Sequence, residues 1–200
     1  MKNLSRETSS DKYAQRLIDL QERNWKKKLS FLNPYRYHIS KVCHGNVLEV
    51  GCGIGRVLEF IPNRSVGVDH NKKSISEAKA KGLNAYHSQD FLDGDLFEYE
   101  SFDTLLFSHV LEHMSMEEAK DILSMYLPYL KNGGRVVLIT PQEKGQKSDE
   151  THVTYMSQER LSTLALSVHL VKTSGYSFPF PSFFSSYFIY NEHVFIGVKS

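Results

Sequence analysis

The sequence predicts an α/β protein with a doubly wound, mostly parallel sheet, because short apolar segments alternate with amphipathic ones along the chain. The first apolar segment, Val47–Val50, is followed by glycines at every second position, at Gly51, Gly53 and Gly55. Such a run suits a buried parallel strand, and the glycines let a ligand lie against bare backbone. A helical pattern resumes at Arg56. These segments predict a strand, a loop and a helix that cradle a nucleotide-type ligand.

Length and composition suit one soluble domain: 200 residues, of which 40% are hydrophobic and 24% charged. The formal net charge of +1 gives no global basic field that would attract nucleic acid. Cys43 and Cys52 are too few for a disulfide framework, so we expect reduced thiols. The first residues are polar, and no apolar run approaches the roughly 18 residues that span a bilayer. We therefore expect a cytoplasmic protein without a signal peptide or membrane segment.

The spacing of the glycines differs from the dinucleotide fingerprint G-x-G-x-x-G, which disfavours a nucleotide-dependent oxidoreductase. The third glycine of that motif would fall at Arg56 or at Leu58, depending on the starting glycine. The chain has instead the pattern E-x-G-x-G-x-G, beginning at Glu49. This pattern resembles motif I of the class I S-adenosylmethionine-dependent methyltransferases, whose cofactor is S-adenosylmethionine.

The strand after the glycine loop, predicted at 65–69, ends in Asp69. A βαβ unit places a carboxylate there, about 20 residues beyond the loop, to accept hydrogen bonds from ribose hydroxyls. Asp69 could instead cap the helix that begins near Asn71. The third strand, predicted at 83–87, is followed by Asp90, and the resemblance implies that this acid accepts a hydrogen bond from the adenine amino group.

The resemblance implies a cofactor-binding set that comprises Glu49, Gly51, Cys52, Gly53, Gly55, Arg56, Asp69, His70, Gln89, Asp90, Phe91, Ser108, His109 and Val110. It also implies that N-terminal helices cover the ligand. An amphipathic pattern before Pro34 and a second short helix at 35–43 predict a helical cap over residues 1–41, with the methyltransferase domain at 42–200. Trp25, Tyr35 and Tyr37 are candidate lid residues, although ordinary packing explains each more simply.

The fourth strand, at 102–107, precedes His109-x-x-Glu112-His113, which matches the zinc motif H-x-x-E-H. On a helix the two histidines would share one face and could hold zinc. Zinc would need a strong third ligand and would leave the glycine loop unexplained, so we expect no metal. The segment resembles the one after strand four in small-molecule methyltransferases. It departs from the N/D-P-P-Y run of many DNA and amide-nitrogen methyltransferases.

The C-terminal part completes the pattern, with a helix at 117–130 that Pro128 should end or kink, strands at 135–140, 169–173 and 193–199, and a helix at 157–166 capped by Ser157. Residues 141–150 are polar and predict a mobile surface loop. The resemblance then covers residues 42–199 and implies a Rossmann-like sheet of seven strands, one of them antiparallel, with helices on both faces. The eight aromatic residues within 176–190 predict a cover for one sheet edge. An acceptor wall or a dimer contact is the alternative.

The expected function is methyl transfer from S-adenosylmethionine to a small-molecule acceptor, with an oxygen atom as the nucleophile. An oxygen acceptor needs a base to take its proton, and His109, His152 and Tyr155 are the catalytic candidates. The alternative is a non-catalytic subunit that binds the cofactor or a partner. We expect a monomer or homodimer with no nucleic acid or membrane partner.

Overall fold

The computed structural model describes residues 15, 18, 19, 34–62 and 64–200. The strands in this part of the chain are β1 (Val47–Val50), β2 (Val66–Asp69), β3 (Ala85–His87), β4 (Phe102–Ser108), β5 (Leu130–Pro141), β6 (Leu170–Phe178) and β7 (Glu192–Lys199). The helices, labelled from the first continuous segment described, are α1 (Pro34–Val42), α2 (Lys72–Ala80), α3 (Ser88–Asp93), α4 (Met116–Tyr126), α5 (Glu143–Gln146) and α6 (Gln158–Ser167). The N-terminal helix predicted before Pro34, with Trp25, lies outside the described residues.

The described strands form one seven-stranded sheet in the order β3-β2-β1-β4-β5-β7-β6. Strands β1 to β5 pair in parallel with one another, whereas β7 runs antiparallel to both β5 and β6. The strand order reverses between β1 and β4, and doubly wound sheets bind ligands in the crevice at such a switch point. The predicted fold class, including the single reversed strand, is confirmed.

Strand β4 is buried on both faces, as its continuous apolar sequence requires. Leu105 and Phe107 belong to a core that includes side chains of α4 and α6, while Leu106 faces a second core that includes side chains of α1 and α2. Helix α1 supplies Ile39 and Val42 to this second core. The helix is thus packed into the main body of the protein, although it spans the boundary predicted at residue 41.

The helix predicted after the glycine loop is reduced to one 3₁₀ turn, Leu58–Phe60. Gly55 has a φ of +80°, which no right-handed helix accommodates, and Pro62 follows soon after. Only a few residues between them are free to be helical. The ligand edge therefore has no long helix pointing its N-terminus at the loop. A short helix that the sequence did not indicate, α3, instead follows β3.

The segment predicted to be a mobile surface loop, 141–150, is a helical turn anchored to the rest of the chain. Gln142 is fully buried, and its amide donates to Ser177 Oγ at 2.7 Å and to the Glu192 carbonyl at 3.1 Å. Gly145 packs so closely that an added Cβ would lie 2.8 Å from the Ile189 carbonyl oxygen. The expectation failed because these buried contacts come from residues far along the chain.

Two further expectations concern cysteines and membranes. Cys43 and Cys52 are both buried and are not joined in a disulfide. Among the residues described, no helix has the length and apolar character needed to cross a bilayer.

Candidate functional site

The glycine loop lies at the carboxyl end of β1 and has a backbone that only glycine adopts easily. Gly51, Gly53 and Gly55 have φ angles of +76°, +52° and +80°. A Cβ at Gly51 would lie 2.3 Å from Cγ2 of Val110, and one at Gly55 would lie 2.2 Å from Cδ1 of Leu83. The loop thus presents bare backbone, with Val110 packed directly against it.

Asp69 fixes this loop from the end of the neighbouring strand β2. Its Oδ2 accepts a hydrogen bond from the Gly53 amide at 2.9 Å, and its Oδ1 accepts one from the Asn71 amide at 2.8 Å. Asn71, not Asp69, caps α2, because its side chain accepts from the amides of Lys73 and Ser74. The Asp69 carboxylate therefore binds the glycine loop, and each of its oxygens keeps a second lone pair that could accept a hydrogen bond from a ligand.

Glu49 lies on β1 close behind Asp69 and is removed from solvent. Burial first, and then the negative charge of Asp69, raise the pKa of Glu49 from 4.5 to about 8. No described group makes a hydrogen bond to its Oε2. A buried carboxyl oxygen without a partner is costly, and a cationic ligand group that reached it would lower that cost.

Other residues of the predicted cofactor set have different surroundings. Cys52 turns towards β2, where a Cβ on Gly67 would lie 2.7 Å from its sulfur, and burial raises the pKa of its thiol well above the ordinary value. Arg56 and His70 are exposed, and His70 Nδ1 lies 3.7 Å from Asp69 Oδ1. These positions leave His70 beside the predicted ribose site and Cys52 in a packing role.

The residues predicted to lie near adenine also differ in their exposure to solvent. Asp90 is exposed in the first turn of α3, and the amide of Gln89 donates to Asp93. Phe91 is buried in an aromatic cluster, with its ring centroid 5.2 Å from that of Phe97 and 4.8 Å from that of Tyr129. Phe91 thus anchors α3 in the core, while Asp90 faces solvent.

Tyr35, from α1, reaches the carboxyl end of β4. Its hydroxyl lies 3.1 Å from Ser108 Oγ, and its ring lies 6.4 Å from that of Phe178. Burial, followed by the charge of Glu192, raises the pKa of Tyr35 well above its usual range. Tyr37 is 65% exposed, so only the first of these two lid candidates lies at the site.

His109 follows β4 in a left-handed conformation, with a φ of +58°. Its Nε2 lies 2.7 Å from Glu192 Oε1, and its Nδ1 lies 3.3 Å from Glu112 Oε1. Burial would lower the pKa of His109, but the two carboxylates outweigh it and raise the pKa to about 10. At neutral pH the ring is therefore protonated in this state, and its Nε2 donates a hydrogen bond to Glu192.

The H-x-x-E-H segment does not form the helical face that a zinc helix requires. After His109 the chain makes only a 3₁₀ turn, Leu111–His113. His113 instead meets His152, with ring centroids 4.8 Å apart. His152 Nε2 lies 4.0 Å from Glu112 Oε1, so His109 and His152 flank the same carboxyl group.

Tyr155 pairs with a residue that the sequence did not single out. Its hydroxyl lies 3.0 Å from Nε2 of His193. Burial lowers the pKa of His193 and is also the main cause that raises the pKa of Tyr155. The pair therefore consists of a neutral imidazole and a neutral phenol near pH 7.

Glu192 and His193 join the site because β7 is reversed. They pair with Pro141 and Thr140, so the start of β7 lies beside the end of β5. The sequence predicted a strand from His193 but offered no signal that Glu192 would contact His109. The contact depends on a hydrogen bond between residues 83 positions apart.

The aromatic segment divides into an inner and an outer part. Phe178 stacks on His38 with ring centroids 3.9 Å apart, and the Tyr176 hydroxyl lies 2.8 Å from His38 Nε2. Phe183, Tyr187 and Tyr190 are 70–77% exposed. The inner part therefore packs α1 onto the sheet, whereas three rings of the outer part face solvent.

The sheet order, the glycine loop, the acid on β1 and the acid that ends β2 together define the fold of the class I S-adenosylmethionine-dependent methyltransferases. Residues 48–136 match the family described as "Methyltransferase domain". This match over part of the chain and the sheet order both support the family resemblance seen in the sequence.

Two curated relatives share parts of this domain. A carboxy-S-adenosyl-L-methionine synthase from Wolinella succinogenes is 31% identical over 77 residues, which cover 34% of this chain and 32% of the relative. An uncharacterized methyltransferase from Bacillus cytotoxicus is 26% identical over 117 residues, 54% of each protein. The chain thus spans about a third and about half of the lengths of these relatives.

Solved structures resemble the whole sheet. A methyltransferase from Archaeoglobus fulgidus has a TM-score of 0.68 at 19% identity, covering 91% of this chain and 99% of that one. A putative methyltransferase from Haloferax volcanii, in complex with the activator Trm112, has a TM-score of 0.66 at 16% identity, covering 95% of both chains. Magnesium protoporphyrin IX methyltransferase from Synechocystis, with bound S-adenosylmethionine, has a TM-score of 0.57 at 15% identity, covering 96% and 86%.

The site fits S-adenosylmethionine, the cofactor of this class. The bare backbone of the glycine loop lets a ligand approach closely, and the buried Oε2 of Glu49 has no described hydrogen-bond partner that would compete with a positively charged group. S-adenosylmethionine has such groups in its ammonium and sulfonium centres. The donor set at this edge thus matches the charge of the cofactor.

Proposed function

We propose that this protein transfers a methyl group from S-adenosylmethionine to an oxygen atom of a small-molecule acceptor. One observation carries the proposal: the glycine loop and Asp69 share a sheet edge with a second polar group around His109, Glu192 and Tyr155. The first group suits the cofactor. The second contains groups that can orient an acceptor and receive its proton.

The cofactor supplies an electrophilic methyl group on a positively charged sulfur. The protein has to hold the acceptor oxygen in line with that methyl group, at roughly 3 Å, and to exclude water. As the new O–CH₃ bond forms, the S–CH₃ bond breaks, the sulfur becomes neutral, and the acceptor's proton must leave. Tyr35 and Ser108, which lie between the two polar groups, are placed to bound the acceptor space.

His193 is our candidate for the proton acceptor, through Tyr155. His109 already carries its proton, because Glu192 and Glu112 raise its pKa to about 10. His193 is neutral near pH 7, and its Nε2 lies 3.0 Å from the Tyr155 hydroxyl. Tyr155 can pass a proton from the acceptor to this ring without ionising in between. His109 would then orient the acceptor by donating hydrogen bonds.

The test combines binding with turnover. We expect calorimetry to show binding of S-adenosylmethionine and S-adenosylhomocysteine but not of NAD, and a panel of hydroxylated acceptors to reveal release of S-adenosylhomocysteine. Tyr155→Phe should lower kcat by about 100-fold or more, as loss of a proton-transfer group does, with cofactor affinity unchanged. Tyr187→Phe, on the exposed aromatic segment, is the matched control and should retain full turnover.

Two results would contradict the proposal. If the protein does not bind the cofactor, the proposal that it is a methyltransferase is wrong. Tight cofactor binding without release of S-adenosylhomocysteine from any acceptor would favour the non-catalytic subunit that the sequence left open.

A further inference from the structure

The carboxyl group of Glu112 lies in an environment that lacks adequate partners. The residue is fully buried, and neither carboxyl oxygen makes a hydrogen bond to any group that the structure describes. The ring of His109 lies beside it, with Nδ1 3.3 Å from Oε1, while the other ring nitrogen is held by Glu192. Two carboxyl groups thus face one imidazole ring.

Two further imidazoles converge on the same carboxyl group. One nitrogen from His113, one from His152 and one oxygen of Glu112 all lie within 4.8 Å of one another. His152 approaches with Nε2, at 4.0 Å from Oε1. A tetrahedral metal with bonds of about 2.1 Å needs ligand atoms about 3.4 Å apart. Side-chain rotations that move these atoms by about 1 Å would bring them to that spacing.

The outer nitrogens of both rings are fixed by backbone carbonyls. His113 Nδ1 lies 3.1 Å from the Thr151 carbonyl oxygen, and His152 Nδ1 lies 3.0 Å from that of Gln146. A carbonyl only accepts, so Nδ1 of each ring is the donor in these hydrogen bonds. Metal-ligating histidines are typically oriented in this way, with the second ring nitrogen donating to a carbonyl or carboxylate.

The backbone holds the two halves of the cluster together. The Glu112 carbonyl accepts hydrogen bonds from the amides of Val153 at 2.8 Å and Thr154 at 3.0 Å. The 3₁₀ turn after β4 and the segment after α5 are therefore joined at the residues that carry the side chains. His152 supplies the third ligand whose absence argued against zinc in the sequence.

We propose that Glu112, His113 and His152 form a binding site for a first-row divalent metal cation, with Zn²⁺ the simplest occupant. Two imidazoles and one carboxylate suit such cations, whereas Mg²⁺ prefers oxygen ligands alone. Three protein ligands leave a coordination position for water, or for an acceptor oxygen if the proposed methyl transfer holds. The cation would also give a partner to the buried oxygens of Glu112, which make no hydrogen bond to a described residue.

The experiment titrates untagged, chelator-treated protein with Zn²⁺ in a calorimeter and repeats the titration with Mg²⁺. We expect one Zn²⁺ per chain and no binding of Mg²⁺ at similar concentrations. Glu112→Gln, His113→Ala and His152→Ala should each weaken Zn²⁺ binding by about 100-fold or more, beyond the loss that follows removal of an outer-sphere partner. Cobalt substitution should give visible absorption bands that disappear in the same variants.

One variant serves as the control. His44→Ala removes an exposed histidine before β1, which hydrogen-bonds to the Lys41 carbonyl, and should leave Zn²⁺ binding unchanged. Circular dichroism and Tm values establish that each variant is folded. Because glutamine has nearly the shape of glutamate, Glu112→Gln still tests the site if a histidine variant does not fold.

Absence of stoichiometric Zn²⁺ binding, or equal affinity in wild-type protein and folded Glu112→Gln, would overturn the metal site. Cofactor affinity is measured separately on chelator-treated protein. Loss of the metal proposal would thus leave the methyltransferase proposal standing, and the reverse also holds.

Discussion

At the scale of single residues, the site is a set of buried carboxyl groups whose partners come from distant parts of the chain. Asp69 has two backbone donors, whereas one oxygen of Glu49, one of Glu192 and both of Glu112 have no hydrogen bond from the described residues. Natural proteins keep such groups rarely, since each lowers stability. Their concentration at the carboxyl edge of the sheet is typical of a ligand-binding site.

Asp69→Ala should weaken S-adenosylmethionine binding by about 1.5–3 kcal/mol, the range for hydrogen bonds to a charged group. The variant also loses the acceptors for the Gly53 and Asn71 amides, so the loop itself should loosen. Calorimetry measures the affinity. Asp121→Ala, an exposed acid on α4, is the control and should bind as the wild type does. Undiminished affinity in Asp69→Ala would place the ribose elsewhere.

Glu49→Gln should make the ligand-free protein more stable relative to the wild type as the pH rises. Below about pH 4.5 Glu49 is protonated in both folded and unfolded chains; between 4.5 and about 8 only the unfolded chain loses the proton. Wild-type stability therefore falls through this window by a few kcal/mol, on the order of 1.4 kcal/mol per pKa unit. The variant lacks this loss.

Urea unfolding at pH 5 and pH 8 measures the Glu49 effect. Glu117→Gln, an exposed acid on α4, should follow the pH dependence of the wild type. A constant difference in free energy of unfolding between Glu49→Gln and wild type at both pH values would show that Glu49 has an ordinary pKa.

At the scale of elements, the glycine loop replaces the long helix that a nucleotide-binding unit usually places after β1. Positive φ angles at three glycines turn the chain tightly, and Val110 from the segment after β4 packs against the first of them. The loop therefore depends on two strands at once. The same holds for the start of β7, which reaches the site only because β5 and β7 are antiparallel.

Gly51→Ala should abolish measurable cofactor binding and lower the free energy of unfolding by more than the roughly 1–3 kcal/mol of a strained backbone alone. Its Cβ would lie 2.3 Å from Val110 Cγ2 in addition to the φ of +76°. Gly82→Ala is the matched control, since Gly82 has a φ of +78° but nothing within 4 Å of its Cβ position. Thermal melts and calorimetry on both variants separate the clash from the backbone strain.

The control should lose only about 1 kcal/mol of stability and keep its cofactor affinity. Equal losses in Gly51→Ala and Gly82→Ala would mean that contact with Val110 is unimportant.

At the scale of the whole molecule, β4 joins the two cores. Leu105 and Phe107 face one side of the sheet and Leu106 the other, all of them buried. Neither core can separate from the sheet without exposing this strand. The reversal of strand order beside β4 also places the loop of β1 next to the residues that follow β4, so the fold that buries the apolar side chains creates the crevice.

Leu105→Ala and Leu106→Ala should each lower the free energy of unfolding by about 2–5 kcal/mol, with a single cooperative transition in both variants. Each change leaves a cavity in a different core, but the shared strand transmits the loss to the whole sheet. Urea unfolding followed by circular dichroism measures the effect. Leu166→Ala is the control, because Leu166 is 70% exposed and should change stability by less than about 0.5 kcal/mol. Two separate transitions in either core variant would show that the cores unfold independently.

The sequence by itself determined the strand-and-glycine-loop unit at Val47–Val50, the acid at Asp69 and the alternation of strands and helices, and hence the fold class. These features depend on local physics: apolar runs suit buried strands, and glycine alone adopts positive φ easily. Only the tertiary structure decided that Glu192 lies beside His109 and raises its pKa, that Tyr155 contacts His193, and that His152 lies near Glu112. These contacts join residues 38 to 83 positions apart. Strand direction and packing set their distances, and no local pattern encodes either.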